Sequence, residues 1–143
     1  MSSRPPDTYL YIRVIDTQGK DMLDPTTDGY FSKSRIRLYY MIEGVKTPCE
    51  QTNSGEPLSG FTIDKGWTRD PFYALRVRSN DRIKDDDAVS LLEFEGKRTD
   101  TIRCHFVKLT KKGSLGRDSI YLNSVFVQGP FKDQIESFDI VIR

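Results

Sequence analysis

Residues 8–15 have the sequence TYLYIRVI, in which aliphatic side chains occupy every second position. An extended chain sends successive side chains to opposite sides, whereas a helix repeats every 3.6 residues. The stretch therefore predicts a β-strand that buries one face. The predicted buried face carries Leu10, Ile12 and Val14, and the opposite face carries Tyr9, Tyr11 and Arg13.

The same period of two recurs along the rest of the chain. It predicts further strands at 35–43, 72–78, 89–95, 99–109, 119–127 and 136–142, separated by turn clusters rich in Gly, Pro, Asp and Asn. No window predicts an amphipathic helix. The pattern predicts an all-β fold of about seven to eight strands: a single antiparallel β-sandwich over residues 8–143, preceded by a polar N-terminal tether at 1–7.

Composition excludes several classes of function. The chain has 143 residues, the size of one domain, with 22 Lys and Arg against 21 Asp and Glu. The net charge of +1 argues against phosphate neutralisation, so no nucleic-acid partner is expected, and against a polybasic membrane-binding protein. No apolar run is long enough to span a membrane. The chain is either cytoplasmic or begins after a removed export signal, and the tether-like start favours the second alternative.

Residues 12–23 carry a resemblance to known families. The first strand ends at Asp16, and two residues, Gly19 and a short apolar return follow it. This order is similar to the first hairpin of prealbumin-like and peptidase-regulatory-like sandwiches. Residues 8–45 also resemble small cell-envelope lipoproteins of gut bacteria, through this strand, the loop at Asp24-Pro25-Thr26 and the strand at 36–40. The resemblance implies an exported, lipid-anchored protein, whose only membrane association is through the anchor, and it supplies no catalytic residues. The acylated Cys of those proteins is not in this sequence.

An immunoglobulin comparison rests on three residues. Cys49, Trp67 and Cys104 occur in the order of an immunoglobulin framework, but Ile102 stands where the tyrosine of a tyrosine corner is found. The predicted sandwich is therefore immunoglobulin-like or prealbumin-like in architecture. The two cysteines form either a disulfide or two buried thiols.

The residues that catalysis or metal binding needs are scarce. The lone His105 is adjacent to Cys104, which the strand period places on the other face, and no Gly-x-Ser-x-Gly motif is present. The acidic clusters at 16–28 and 85–87 match no EF-hand spacing, so turn capping is favoured over a bound cation. We expect no enzymatic activity, no cofactor and no metal site.

Aromatic residues are the remaining candidates for a binding site. If the first two strands pair, one outer sheet face carries tyrosines and arginines together; a second aromatic group lies near the loop at 66–71. The candidate ligand-binding residues are Tyr9, Tyr11, Arg13, Arg37, Tyr39, Trp67 and Tyr73. The structural alternatives are cross-strand aromatic packing and a Trp67 ring that plugs one end of the sandwich. The sequence thus predicts a non-catalytic module that binds a protein or glycan at the cell envelope, with a carbohydrate-binding module as the alternative.

Overall fold

A computed structural model of the chain describes residues 9–49, 60–65, 71–78, 80, 82–108, 115–128 and 137–143, and only the backbone of residues 108, 115–118 and 128. The predicted tether at 1–7 lies outside the described residues. The described part contains ten strands and a 3-10 helix at Lys33–Arg35. The strands are β1 (Tyr9–Asp16), β2 (Ile36–Ile42), β3 (Val45–Pro48), β4 (Phe61–Lys65), β5 (Tyr73–Arg78), β6 (Asp87–Phe94), β7 (Arg98–Lys108), β8 (Leu115–Leu122), β9 (Val125–Gln128) and β10 (Ser137–Ile142).

The strands form two sheets, and the all-β prediction is confirmed. A four-stranded sheet has the order β10-β1-β5-β4, and a six-stranded sheet has the order β3-β2-β6-β7-β8-β9. Buried side chains from both sheets belong to one hydrophobic cluster, which gives a sandwich-like architecture. Leu10, Ile12, Leu75 and Ile140 come from the four-stranded sheet, and Tyr40, Leu92, Ile102 and Phe106 from the six-stranded sheet.

The predicted antiparallel sandwich is wrong for one of the described strand pairs. β1 and β10 pair in parallel, with Ile12 beside Phe138 and Val14 beside Ile140. The other described pairs are antiparallel. Side chains alternate with a period of two in both kinds of ladder, so alternation carries no information about strand direction.

The predicted number of strands is too low because β3 and β4 lie outside every predicted segment and a tight hairpin divides one segment into β8 and β9. The predicted strand at 119–127 is broken at Asn123 and Ser124, whose φ angles of 50° and 70° end β8 and begin β9. Glu43 and Gly44, with φ angles of 50° and 80°, likewise separate β2 from β3. Positive φ at both central positions is the geometry of a type I′ hairpin turn. The pair Asn123-Ser124 contains no glycine, so the sequence pattern does not predict a turn at this point.

Replacing Ser124 by glycine is expected to stabilise the fold. A residue with a Cβ pays about 1–2 kcal/mol in the left-handed region, and Asn-Gly is the preferred type I′ pair. We expect Ser124→Gly to raise the free energy of unfolding by about 0.5–1 kcal/mol, measured by urea denaturation. Thr17→Gly is the matched control, because exposed Thr17 is not among the residues with positive φ. A loss of stability in both variants would contradict the turn assignment.

The first turn of the chain has the capping geometry that the sequence predicts. The Asp16 carboxylate accepts hydrogen bonds from the backbone N–H groups of Gln18 and Lys20, at 2.8 and 2.9 Å. Gly19 takes the left-handed position with a φ of 82° and donates its N–H to the Asp16 carbonyl oxygen. Asp and Gly therefore reverse the chain after β1 as expected.

Tyr40 joins the two sheets through the core. Its ring is buried, and its hydroxyl donates a hydrogen bond of 2.7 Å to the Arg78 carbonyl oxygen of β5. Burial raises the pKa of the Tyr40 phenol well above its ordinary value, and the neighbouring Cys49 thiol adds to the rise. Of the two alternatives for the cysteines, the structure has two buried thiols, because Cys49 and Cys104 are not joined in a disulfide.

Asn80 is a second polar group in the interior, only 1% exposed. Its side-chain amide donates to the Met41 carbonyl oxygen of β2 at 3.1 Å and to the Val89 carbonyl oxygen of β6 at 2.8 Å. Its side-chain oxygen accepts from the Arg82 backbone N–H at 2.9 Å. One side chain thus satisfies three backbone groups where β2 and β6 lie side by side.

Candidate functional site

The predicted aromatic and basic residues lie on two different sheets. Tyr9, Tyr11 and Arg13 lie on the outer side of β1 in the four-stranded sheet, whereas Arg37 and Tyr39 lie on the outer side of β2 in the six-stranded sheet. The expected pairing of these two strands is wrong. β1 pairs with β5 and β10, and β2 pairs with β3 and β6, so the five residues form no single patch. Alternation identifies the outer face of a strand but not the sheet to which the strand belongs.

On the four-stranded sheet, the outer side chains contact one another. The Arg76 guanidinium lies 3.7 Å from the centroid of the Tyr9 ring. Arg13 forms two hydrogen bonds with the Asp139 carboxylate, of 2.7 and 2.8 Å, and its guanidinium lies 4.9 Å from the centroid of the Phe72 ring. All these side chains are half-buried. Cation–π contacts and a bidentate ion pair account for this arrangement as packing within the sheet.

Cations also cover the other candidate ring platforms. The Lys46 ammonium lies 4.3 Å from the centroid of Tyr39, and the Lys65 ammonium lies 5.1 Å from the centroid of Tyr73. Tyr73 is half-buried and packs against the core, so it is not an exposed platform. Trp67 lies outside the described residues.

The most unusual feature of the outer surface lies in β6, where Ala88, Leu92 and Phe94 face the core as usual but one inward position is polar and two outward positions are apolar. Ser90 is only 3% exposed and points into the core, where it pairs with Tyr40 of β2 and Ile102 of β7. Its apolar neighbours Val89 and Leu91 consequently point outward. A buried polar residue between two outward apolar residues is the reverse of the usual pattern and is informative about function.

Val89 and Leu91 form the centre of a wider surface, which we call the apolar outer face. Leu91 lies opposite Tyr39 in the β2–β6 register, and Arg103 of β7 lies opposite Val89 on the other side. The rows continue across the sheet to β8 and β9, where two aromatic rings meet edge to face with centroids 5.7 Å apart. The apolar outer face comprises Tyr39, Met41, Val89, Leu91, Tyr121 and Phe126, of which Phe126 is 55% exposed.

Charged side chains lie both within this face and beside it, because Arg103 of β7 stands between Val89 of β6 and Tyr121 of β8. The Arg103 guanidinium lies 4.0 Å from the centroid of the Tyr121 ring and 3.3 Å from the Asp87 carboxylate. Asp87 also contacts His105, with 2.7 Å between a carboxylate oxygen and Nδ1. At the other side, the Tyr39 hydroxyl donates a long hydrogen bond of 3.4 Å to Glu93. The face therefore has two apolar groups, on β2–β6 and on β8–β9, with Arg103 between them, and aromatic residues, methionine and arginine are enriched at protein–protein interfaces.

The His105–Asp87 pair gives no nucleophilic centre in the described part of the chain. Cys104 lies on the opposite face of β7 and is buried in the core. The contacts of His105 that the structure describes are with Asp87, which fixes the orientation of the ring. A nucleophile–base arrangement requires a hydroxyl or thiol within hydrogen-bond reach of the imidazole.

Three of the acidic residues at 16–28, namely Asp16, Asp21 and Asp24, cap backbone N–H groups. Backbone N–H groups, above all that of Lys20, lower the pKa of Asp16. The N–H and hydroxyl of Thr26 lower the pKa of Asp24 in the same way. The carboxylate of Asp21 caps the N–H groups of Leu23 and Tyr73. Among the described residues, no three His, Cys, Asp or Glu side chains converge as a metal site would require.

Comparisons with protein-family models, with curated proteins and with solved structures found no match to this chain. The described residues also contain no helix long and apolar enough to cross a membrane. The functional argument therefore rests on the surface itself.

Sequence reasoning found only part of the apolar outer face. It selected Tyr39, together with the exposed Arg37 on the same strand, but missed the other members of the face: Met41, Val89, Leu91, Tyr121 and Phe126. A signal was present in β6, where Val89, Leu91 and Leu92 place apolar side chains on both sides of one strand. A strand with a solvated outer face alternates apolar and polar residues, and this one does not.

Proposed function

We propose that this protein is a non-catalytic interaction module of a bacterial cell envelope, and that it binds a protein partner through the apolar outer face of its six-stranded sheet. The envelope location and lipid anchor rest on the resemblance of residues 8–45 to cell-envelope lipoproteins. The same resemblance supports an immunoglobulin-like or prealbumin-like arrangement of the two sheets.

The observation that carries the binding proposal is the presence of two apolar side chains, Val89 and Leu91, on the outer side of β6. Core packing fixes the orientation of the strand through Leu92 and Phe94, which are buried on its inner side. That orientation does not require apolar residues at positions 89 and 91. Selection for a surface that contacts another protein explains their presence there.

The chemistry of the face favours a protein over a sugar. Tyrosine, arginine, methionine and phenylalanine are enriched at protein interfaces. A sugar ring stacks on an open aromatic face, but Lys46 covers one face of Tyr39 and Arg103 covers one face of Tyr121. We therefore infer a partner that presents an apolar surface to Val89 and Leu91. The carbohydrate-binding alternative has less support on this face.

A photo-crosslinking experiment tests the proposal. A photoreactive amino acid is placed at Leu91 in cells that produce the protein naturally, and a matched substitution is made at Asp64, which is exposed on the other sheet. We expect a discrete protein adduct from position 91 that position 64 does not give. Identical adducts from both positions, or none from position 91, would contradict the proposal.

A further inference from the structure

A cation stands in the middle of the apolar outer face. The strand registers align four residues in one row across four neighbouring strands: Val89 of β6, Arg103 of β7, Tyr121 of β8 and Phe126 of β9. Neighbouring strands lie about 4.8 Å apart, so β6 and β8 are separated by about 10 Å with Arg103 between them. A partner that contacts both apolar groups of the face must therefore also cover Arg103.

The contacts of Arg103 within the chain use little of its capacity to donate hydrogen bonds. A guanidinium has five N–H donors. Nη1 of Arg103 donates one hydrogen bond, of 3.3 Å, to the Asp87 carboxylate, and the other contact that the structure describes is with the Tyr121 ring. The Arg103 side chain is 36% exposed, so water reaches the remaining N–H groups.

Arg13 on the four-stranded sheet shows what a fully engaged guanidinium looks like in this protein. It donates two short hydrogen bonds, of 2.7 and 2.8 Å, to the two oxygens of Asp139. Asp87 does not bind Arg103 in this bidentate manner, and its other oxygen lies 2.7 Å from Nδ1 of His105. Arg103 is thus positioned against Tyr121 without a bidentate carboxylate of its own.

We propose that the protein partner of the apolar outer face presents a carboxylate to Arg103, between apolar side chains that contact Val89 on one side and Tyr121 on the other. This inference rests on the function proposed above. A partner that covers the apolar groups removes water from the Arg103 N–H groups, and a buried charge without a counter-charge is strongly disfavoured. A carboxylate supplies both the counter-charge and the acceptors, because its two oxygens match the planar fork of a guanidinium.

The other charges of this face also complement an acidic partner. Arg37 is exposed on β2, and among the described residues no carboxylate forms an ion pair with it. The Lys46 ammonium lies against the Tyr39 ring. Of the described acids on these strands, Asp87 is engaged as above, and Glu93 accepts the hydrogen bond of the Tyr39 hydroxyl. The face thus offers cations that can take an acidic partner, and its acids are already in use.

Competition against the adduct formed from position 91 tests this carboxylate. The adduct is formed in a homogenate of the producing cells, and purified chains are added in increasing excess. Arg103→Leu should need at least about thirtyfold more chain than the wild type to suppress the adduct, because leucine offers apolar area but no positive charge. Arg103→Lys keeps the charge and loses the fork, so it should need about three- to tenfold more.

Lys97→Glu is the matched control, because Lys97 is exposed in the turn between β6 and β7, away from the row. It changes the net charge by more than Arg103→Leu does, yet it should compete within about twofold of the wild type. Each variant is used once its thermal midpoint lies within a few degrees of the wild type. An Arg103→Leu chain that competes as well as the wild type overturns the inference, because the partner then presents an apolar group at this point.

Carbodiimide coupling reads the carboxylate directly, since it joins an amine to a carboxylate with no spacer. The Arg103→Lys chain should couple to the same protein that position 91 captures, whereas Asp64→Lys, on the other sheet, should not. Equal coupling by the two chains, or none by Arg103→Lys, overturns the inference. When the position-91 adduct forms, these failures leave the proposed function in place; when it does not form, the proposed function fails and the inference fails with it.

Discussion

Replacing Gly60 by alanine is expected to lower the free energy of unfolding by about 3–4 kcal/mol. Gly60 is buried, with a φ angle of 79° that disfavours any residue with a Cβ. An added Cβ would overlap the Cys49 sulfur and would lie 2.8 Å from Cδ2 of Leu38. Both backbone strain and overpacking therefore oppose the substitution. Urea denaturation monitored by circular dichroism measures the change.

Two controls separate the strain from the overpacking. Gly96 has a similar φ of 76° with nothing within 4 Å of an added Cβ, so Gly96→Ala should cost only the backbone strain of about 1–2 kcal/mol. Adding Cys49→Ala to Gly60→Ala removes the nearer obstacle and should recover part of the loss. Equal losses at positions 60 and 96 would show that Gly60 is not packed against Cys49 as the structure describes.

Replacing Asn80 by aspartate is expected to lower the free energy of unfolding by about 4 kcal/mol at neutral pH. A carboxylate has no N–H to donate, so the Met41 and Val89 carbonyl oxygens lose their hydrogen bonds. It also brings a negative charge against two carbonyl dipoles in a site that is 1% exposed. Each buried acceptor left unsatisfied costs about 1–3 kcal/mol, and the charge adds to that loss.

Gln18→Glu is the matched control, because it makes the same amide-to-acid change at an exposed position. That variant should keep the free energy of unfolding within about 0.5 kcal/mol of the wild type. An Asn80→Asp variant as stable as Gln18→Glu would contradict the role of Asn80 in linking β2 to β6.

The sequence predicts those features of the fold that depend on local physics. The alternation of residues 8–15 correctly assigns Leu10, Ile12 and Val14 to the core. The spacing of Asp16 and Gly19 correctly predicts the turn that follows, because a capping carboxylate and a left-handed glycine act over four residues. The all-β fold class follows from the same local patterns, which repeat along the chain.

Long-range pairing could not be predicted in the same way. Nothing in the alternation of β1 distinguishes a parallel neighbour from an antiparallel one, or β5 from β2 as the strand beside it. The surface assembled from Tyr9, Tyr11 and Tyr39 consequently divides between two sheets. Which tyrosines share a sheet face depends on which strands are neighbours in the folded protein.

The candidate site escaped prediction for a related reason. Alternation assigns the apolar set of a strand to the core, and in β6 this rule holds for Leu92 and Phe94 but not for Ser90, which is buried although it is polar. A slip of one residue would reverse every side chain of β6, so the core residues Leu92 and Phe94 hold the register. The failure of the local rule marks the surface that we propose for binding.

The most direct test of that surface is competition against the adduct formed from position 91. Purified wild-type chain, added in increasing excess, should suppress formation of the adduct. A Leu91→Arg chain, whose thermal midpoint is first shown to lie within a few degrees of the wild type, should suppress it at least about tenfold less effectively. That loss is expected when a central interface residue is replaced. Equal suppression by the two chains would show that Leu91 does not contribute to binding and would contradict an interface on the apolar outer face.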